Sequence, residues 1–160
     1  MMTTVATRMQ TLAMSYTEIQ SRVPGYPWVP LGNFMLDFFR NFPEQRAELL
    51  ADPIQAPPYG LAFGWSEEAK EDHQWAVFCA ASAEYLSHRY KLACPSWAYD
   101  AAYSALPEAW YFAPMAYKKE HVRERAERTT PLEFARRNIY CGDKVYVDKY
   151  AAAQEFLAVR

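Results

Sequence analysis

Apolar residues recur at helical spacing along most of the chain, and the breaks between them fall at proline and glycine. From Thr3 to about Val23 the positions Met9, Leu12, Ala13, Tyr16 and Ile19 lie on one face of a helix, which Pro24-Gly25 stops. After the aromatic turn GYPWVP, the run LGNFMLDFFRNF places Leu31, Phe34, Met35, Phe38 and Phe39 together, and a further helix starts at Pro43 with Leu49 and Leu50 inward. A long loop, DPIQAPPYGLAFGW, separates these from the strongest helical signal in the chain. There Ser66 reads as an N-cap with Glu67 and Glu68 in the first turn, where the helix dipole favours acids. Trp75, Phe78, Cys79, Ala83, Leu86 and Tyr90 then repeat at three and four up to about Leu92, so this longest helix is expected at the centre of the fold.

The rest is shorter and more punctuated. PSWAYDAAYSA and PEAWYFAP precede a charged helix from about Lys118 to Arg128, and a short helix in TTPLEFARRN follows before a turn at Gly142. Lys144 to Val147 alternates like a strand, whereas Asp148 to Val159 has helical composition. The pattern predicts an all-α single domain over 1–160, an irregular helical bundle around the helix at about 66–92. A short strand near 144–147 is the exception, and the helix and aromatic turn of 1–29 are expected at the periphery.

TTPLEFARRNIY carries the most specific local signal. Thr130 reads as N-cap, Pro131 as the first helical residue and Glu133 as the partner reaching back to the cap, a capping box. Leu132, Phe134 and Ala135 supply an apolar face too short to be stable alone, so it must dock on something larger. Arg137 and Asn138 are expected to hydrogen-bond backbone carbonyls or a carboxylate and fasten this helix to the core. Arg136, on the neighbouring turn, is expected to stay free for a partner.

Composition narrows the functional classes. The chain has 160 residues, room for one well-formed core, and its 51% hydrophobic content excludes disorder. Aromatic residues make up 16%, concentrated between Trp97 and Tyr117, and their polar tips suit an interface. A net charge of -2 argues against a general nucleic-acid binder, although bases outnumber acids from Lys118 to Lys149. Cys79, Cys94 and Cys141 form no paired motif and no membrane-spanning run appears, which points to a reduced, cytoplasmic protein without a membrane partner. His73, His88 and His121 are too far apart for a two-histidine metal motif. The glycines make neither common phosphate loop and no hydrolase elbow is present, so neither metal, cofactor nor catalysis is expected.

Pro95 and Trp97, then Leu106, Pro107, Trp110 and Tyr111, then Pro131, Phe134, Arg137, Asn138, Ile139 and Tyr140 follow an order that resembles a family of small bacterial antitoxin-like proteins. Their closing stretch runs P-x-x-F-x-x-R-N-I-F-V. Here Glu108-Ala109 separate Pro107 from Trp110, Cys141 follows Tyr140, and no helix-turn-helix precedes the shared half. The resemblance implies a non-catalytic interaction protein whose partner is a toxin enzyme of the nucleotidyltransferase-like kind, with homo-oligomerisation compatible. Arg136, Trp110, Tyr111 and Tyr140 are then the expected partner-binding residues, and Thr130, Pro131, Glu133, Phe134, Arg137 and Asn138 the structural motif. The alternative is a small DNA-binding transcriptional regulator using the basic C-terminal third.

Overall fold

The computed structural model describes residues 9–55, 66–112 and 116–148. The chain is predominantly helical, in this order: α1 (Leu12–Gln20), α2 (Trp28–Leu36), a π-helical turn at Asp37–Asn41, a 3₁₀ turn at Pro43–Gln45, and α3 (Arg46–Ala51). Next come α4 (Glu67–Arg89), 3₁₀ turns at Ser96–Tyr99 and Ala101–Tyr103, β1 (Trp110–Tyr111), and a 3₁₀ turn at Ala116–Lys118. The described part closes with α5 (Glu120–Thr129), α6 (Leu132–Ala135) and β2 (Ile139–Tyr140).

α4 begins where its signals place it, the Ser66 hydroxyl accepting from the Ala69 amide at 3.1 Å. It ends with Lys91 in the left-handed region (φ 57) and the Leu92 amide returning to the Ser87 carbonyl at 2.8 Å, a Schellman-type closure. The helix is wrapped on all sides: every residue from Trp75 to Glu84 is buried. Alanines at 76, 80, 81 and 83 make this feasible, because small side chains let other elements approach closely. α1, α6 and the two 3₁₀ turns at 96–103 pack directly on α4.

The expectation of a peripheral 1–29 segment is corrected for the described residues. Leu12, Tyr16 and Ile19 of α1 are fully buried, and the Tyr16 hydroxyl donates to the Asp72 carbonyl at 2.8 Å. Residues 1–8 lie outside the described part. Gly25 makes the sharp turn between α1 and α2: its φ is +82, and a Cβ there would sit 2.5 Å from Val29 Cγ2.

The strand expected near 144–147 does not form. Val145 and Tyr146 sit in a turn, and Tyr146 is driven into the core, its ring beside Phe78 and Tyr85 and its hydroxyl donating to Ser82 Oγ at 2.8 Å. Burial of a large ring with a satisfied hydroxyl outweighs a local alternation with no neighbouring strand to pair with. Among the described residues the only sheet is elsewhere, a parallel pair of β1 and β2 with Trp110 opposite Ile139 and Tyr111 opposite Tyr140. The helix expected from Asp148 onward falls on residues 149–160, outside the described part.

Candidate functional site

The closing motif meets α4 at a buried carboxylate that sequence reasoning did not single out. Glu84 is only 1% exposed, inside the alanine-rich stretch of α4. Arg137, itself 3% exposed, donates from Nη1 to Glu84 Oε1 at 2.9 Å, and Arg136 donates from Nη2 to the other carboxylate oxygen. One carboxylate thus holds two adjacent arginines, one on each oxygen. Burial alone would raise the Glu84 pKa. Hydrogen bonds from Arg137 and Tyr99 and the positive charges of both arginines overcome it and hold the carboxyl below its ordinary range.

Three further donors of Arg137 are committed to the backbone: Nη1 to the Glu133 carbonyl at 2.8 Å, Nη2 to Ala98 at 3.0 Å and Nε to Tyr103 at 3.1 Å. One guanidinium therefore ties α4, α6 and both 3₁₀ turns together, which is why the planar fork of arginine is needed there. Asn138 extends the junction. It adopts a left-handed backbone (φ 67), which asparagine tolerates better than most residues, and turns the chain from α6 into β2. Its Nδ2 donates to the Leu106 carbonyl at 3.1 Å, the Leu106 amide donates to Arg137 O at 3.0 Å, and the Trp110 amide donates to Asn138 O at 2.9 Å. The separated segments LPEAWY and RRNIY are thereby joined edge to edge. Phe134 completes the motif as a fully buried ring against Phe78 and Tyr85.

Several site expectations are corrected. The capping box does not form: α6 starts at Leu132 with Pro131 at the N-cap and no side-chain cap. Thr130 instead donates to the Ala126 carbonyl at 2.5 Å and accepts from the Gly142 amide at 2.8 Å, tying the end of α5 to the 142 turn. Glu133 turns away from the cap to pair with His88 Nδ1 at 2.9 Å, near the end of α4. Longer-range partners outcompete a local box because α6 is a single turn with few amides to satisfy.

Arg136 does not stand free, since one nitrogen is held by Glu84. It is nevertheless 45% exposed at the side chain, and its other guanidinium nitrogens have no partner among the described residues. Trp110 is half-buried, packing edge-on to Trp75 at the margin of the core with ring centroids 4.9 Å apart. Tyr111 and Tyr140 do come together, stacked at 5.2 Å by the β1–β2 register, and the Tyr111 hydroxyl donates to Glu127 Oε1 at 2.5 Å.

Two large side chains near Arg136 are exposed. Tyr99 is 55% exposed and Leu132, one helical turn before Arg136, is 71% exposed. Tyr99 and Arg136 line a groove of about 260 Å³ together with Ala98, Asp100, Ala101, Ser104 and Ala105. The Tyr99 hydroxyl is pushed above its ordinary range by the Cys94 thiol, by partial burial and by Glu84. Glu84 and Tyr99 could have been suspected from sequence. A lone acid within AASAEYL is conspicuous, and Tyr99 stands two residues after the tryptophan of PSW.

Other titratable groups are occupied structurally. Asp72 pairs with Arg22 at 3.2 Å, and burial pushes the Cys79 thiol far above its ordinary range. Among the described residues no group of three or more His, Cys, Asp and Glu side chains is placed to hold a metal ion. No helix there is long and apolar enough to cross a membrane.

The fold and site define a helical protein whose polar core junction fastens a closing arginine motif beneath a half-exposed Arg–Tyr–Leu surface. Comparison with protein families, curated proteins and solved structures yields no match.

Proposed function

We propose that this protein is a non-catalytic interaction protein, the antitoxin-like partner of a toxin enzyme, and that it docks through the surface centred on Arg136. The observation that carries the reading is the division of labour between two adjacent arginines. Arg137 is consumed by the fold, whereas Arg136 is oriented by the same carboxylate yet keeps donors at the surface, between exposed Tyr99 and Leu132. Arginine and tyrosine are enriched among the residues that dominate binding energy at interfaces. The partner class rests on the resemblance of the closing motif to antitoxin-like proteins.

A catalytic reading has less support, because Glu84 and Asp72 are held in ion pairs and the Cys79 thiol is far from the thiolate form. The regulator alternative has less support too. Arg123, Arg125 and Arg128 of α5 are interleaved with Glu120, Glu124 and Glu127, which breaks up any continuous basic face. The test is calorimetric titration of the protein into a nucleotidyltransferase-like toxin enzyme from the same source. Binding that weakens about tenfold or more in Arg136→Gln and in Tyr99→Ala is expected, equal to about 1.4 kcal/mol. No binding, or binding indifferent to both substitutions, overturns the reading.

A further inference from the structure

The groove beside Arg136 has a chemistry of its own. Its guanidinium is gripped from below by Glu84 Oε2, and Glu84 is in turn fixed by Arg137, so the Arg136 head group is oriented before any partner arrives. Such preorganisation lowers the entropic cost of binding. Arg136 lines the groove together with Ala98, Ala101 and Ala105, whose small side chains take up little of the space. Ser104 donates its hydroxyl to Ala101 O at 2.9 Å. Glu84, Arg136 and Arg137 together leave one positive charge at the junction.

Resting on the docking reading above, we infer that this groove receives a carboxylate side chain, an aspartate or glutamate of the partner protein, on the free edge of Arg136, with a neighbouring apolar residue of the partner against Leu132 and Tyr99. Guanidinium and carboxylate match in a planar, bidentate geometry. A nucleic-acid backbone fits less well, since it needs cations repeated along a track. This groove offers Arg136 and the Glu84-paired Arg137 beside the carboxylate of Asp100, not a row of cations. Asp100 is already engaged in its own turn, its Oδ1 accepting from the Ala102 amide at 3.0 Å, so it does not neutralise Arg136 through contact. Its charge nonetheless opposes an incoming carboxylate.

The experiment uses the full chain, labelled with nitrogen-15, and two tripeptides, Ac-Ala-Glu-Leu-NH2 and Ac-Ala-Gln-Leu-NH2, with a short oligothymidylate as a phosphate probe. The glutamate peptide is expected to shift the amides of 98–105 and the Arg136 Nε signal, and the glutamine peptide to bind about two- to fivefold more weakly. Asp100→Asn, which keeps the oxygen that accepts from Ala102, should tighten the glutamate peptide by a similar factor, and Arg136→Gln should abolish its shifts. The inference is overturned if the glutamine peptide or oligothymidylate gives the same shifts at the same concentration, or if Asp100→Asn has no effect. Toxin binding that depends on Arg136 without any response to the glutamate peptide would sink the carboxylate receptor and leave the docking reading standing. A response to the peptide with no toxin binding would do the reverse.

Discussion

Removing Arg137 tests the junction most directly. Arg137→Ala deletes one contact to a buried carboxylate and three bonds to the carbonyls of Ala98, Tyr103 and Glu133. Breaking a buried ion pair from one side costs about 3–5 kcal/mol, because the surviving charge is left without compensation. Each orphaned buried acceptor adds about 1–3 kcal/mol where water cannot reach it. Two features pull the sum down. Arg136 still holds the other oxygen of Glu84, and Ala98 and Tyr103 line the groove, so water can enter as the side chain leaves. The net expectation is a loss of about 3–5 kcal/mol, a large part of the 5–15 kcal/mol typical of a domain. Urea unfolding followed by tryptophan fluorescence reads it, with an unchanged m-value showing that the denatured state is not what moved. Arg137→Lys keeps the charge but cannot span four acceptors, so it should recover only part of the loss. Combining Arg137→Ala with Glu84→Gln should show a coupling of about 1–3 kcal/mol. A loss under about 1 kcal/mol for Arg137→Ala, with m unchanged, would mean the junction is a bystander and the motif's arginines act as an ordinary charged helix end.

Three further expectations follow from the same structure. Leu86, fully buried on α4, should lose about 2–5 kcal/mol on replacement by alanine in a denaturant melt, and a loss below about 1 kcal/mol would contradict a packed core there. Gly25→Ala should cost about 1–2 kcal/mol, chiefly from the left-handed backbone, since the Val29 side chain it would meet is exposed and can move; an unchanged melting temperature would refute this. Because the folded carboxyl of Glu84 titrates below its unfolded value of about 4.3, its contribution is complete above that pH and is lost as pH falls through the folded value. The stability gap between the parent and Glu84→Gln should therefore narrow below about pH 4, and a gap constant from pH 7 to pH 3 would exclude the ion pair as its origin.

What the sequence determined by itself is whatever depends on neighbours within one or two turns. The Ser66 cap, the first-turn acids and the three-and-four repeat from Trp75 to Leu86 specify α4 wherever it packs, because capping and amphipathicity act over four residues. The same locality made Arg137 and Asn138 conspicuous, a polar pair closing a helix too short to stand alone. Tertiary structure decided everything that depends on a distant partner. Thr130 and Glu133 have the spacing of a capping box, yet Gly142 and His88 claim them. Nothing local to Trp110 names its neighbour, and it is the pairing of β1 with β2 that sets its ring against Trp75. Arg136 and Arg137 are indistinguishable as adjacent letters. They stand in the turn that closes α6, and only the position of Glu84, 52 and 53 residues earlier in the chain, assigns one to the core and leaves the other at the surface.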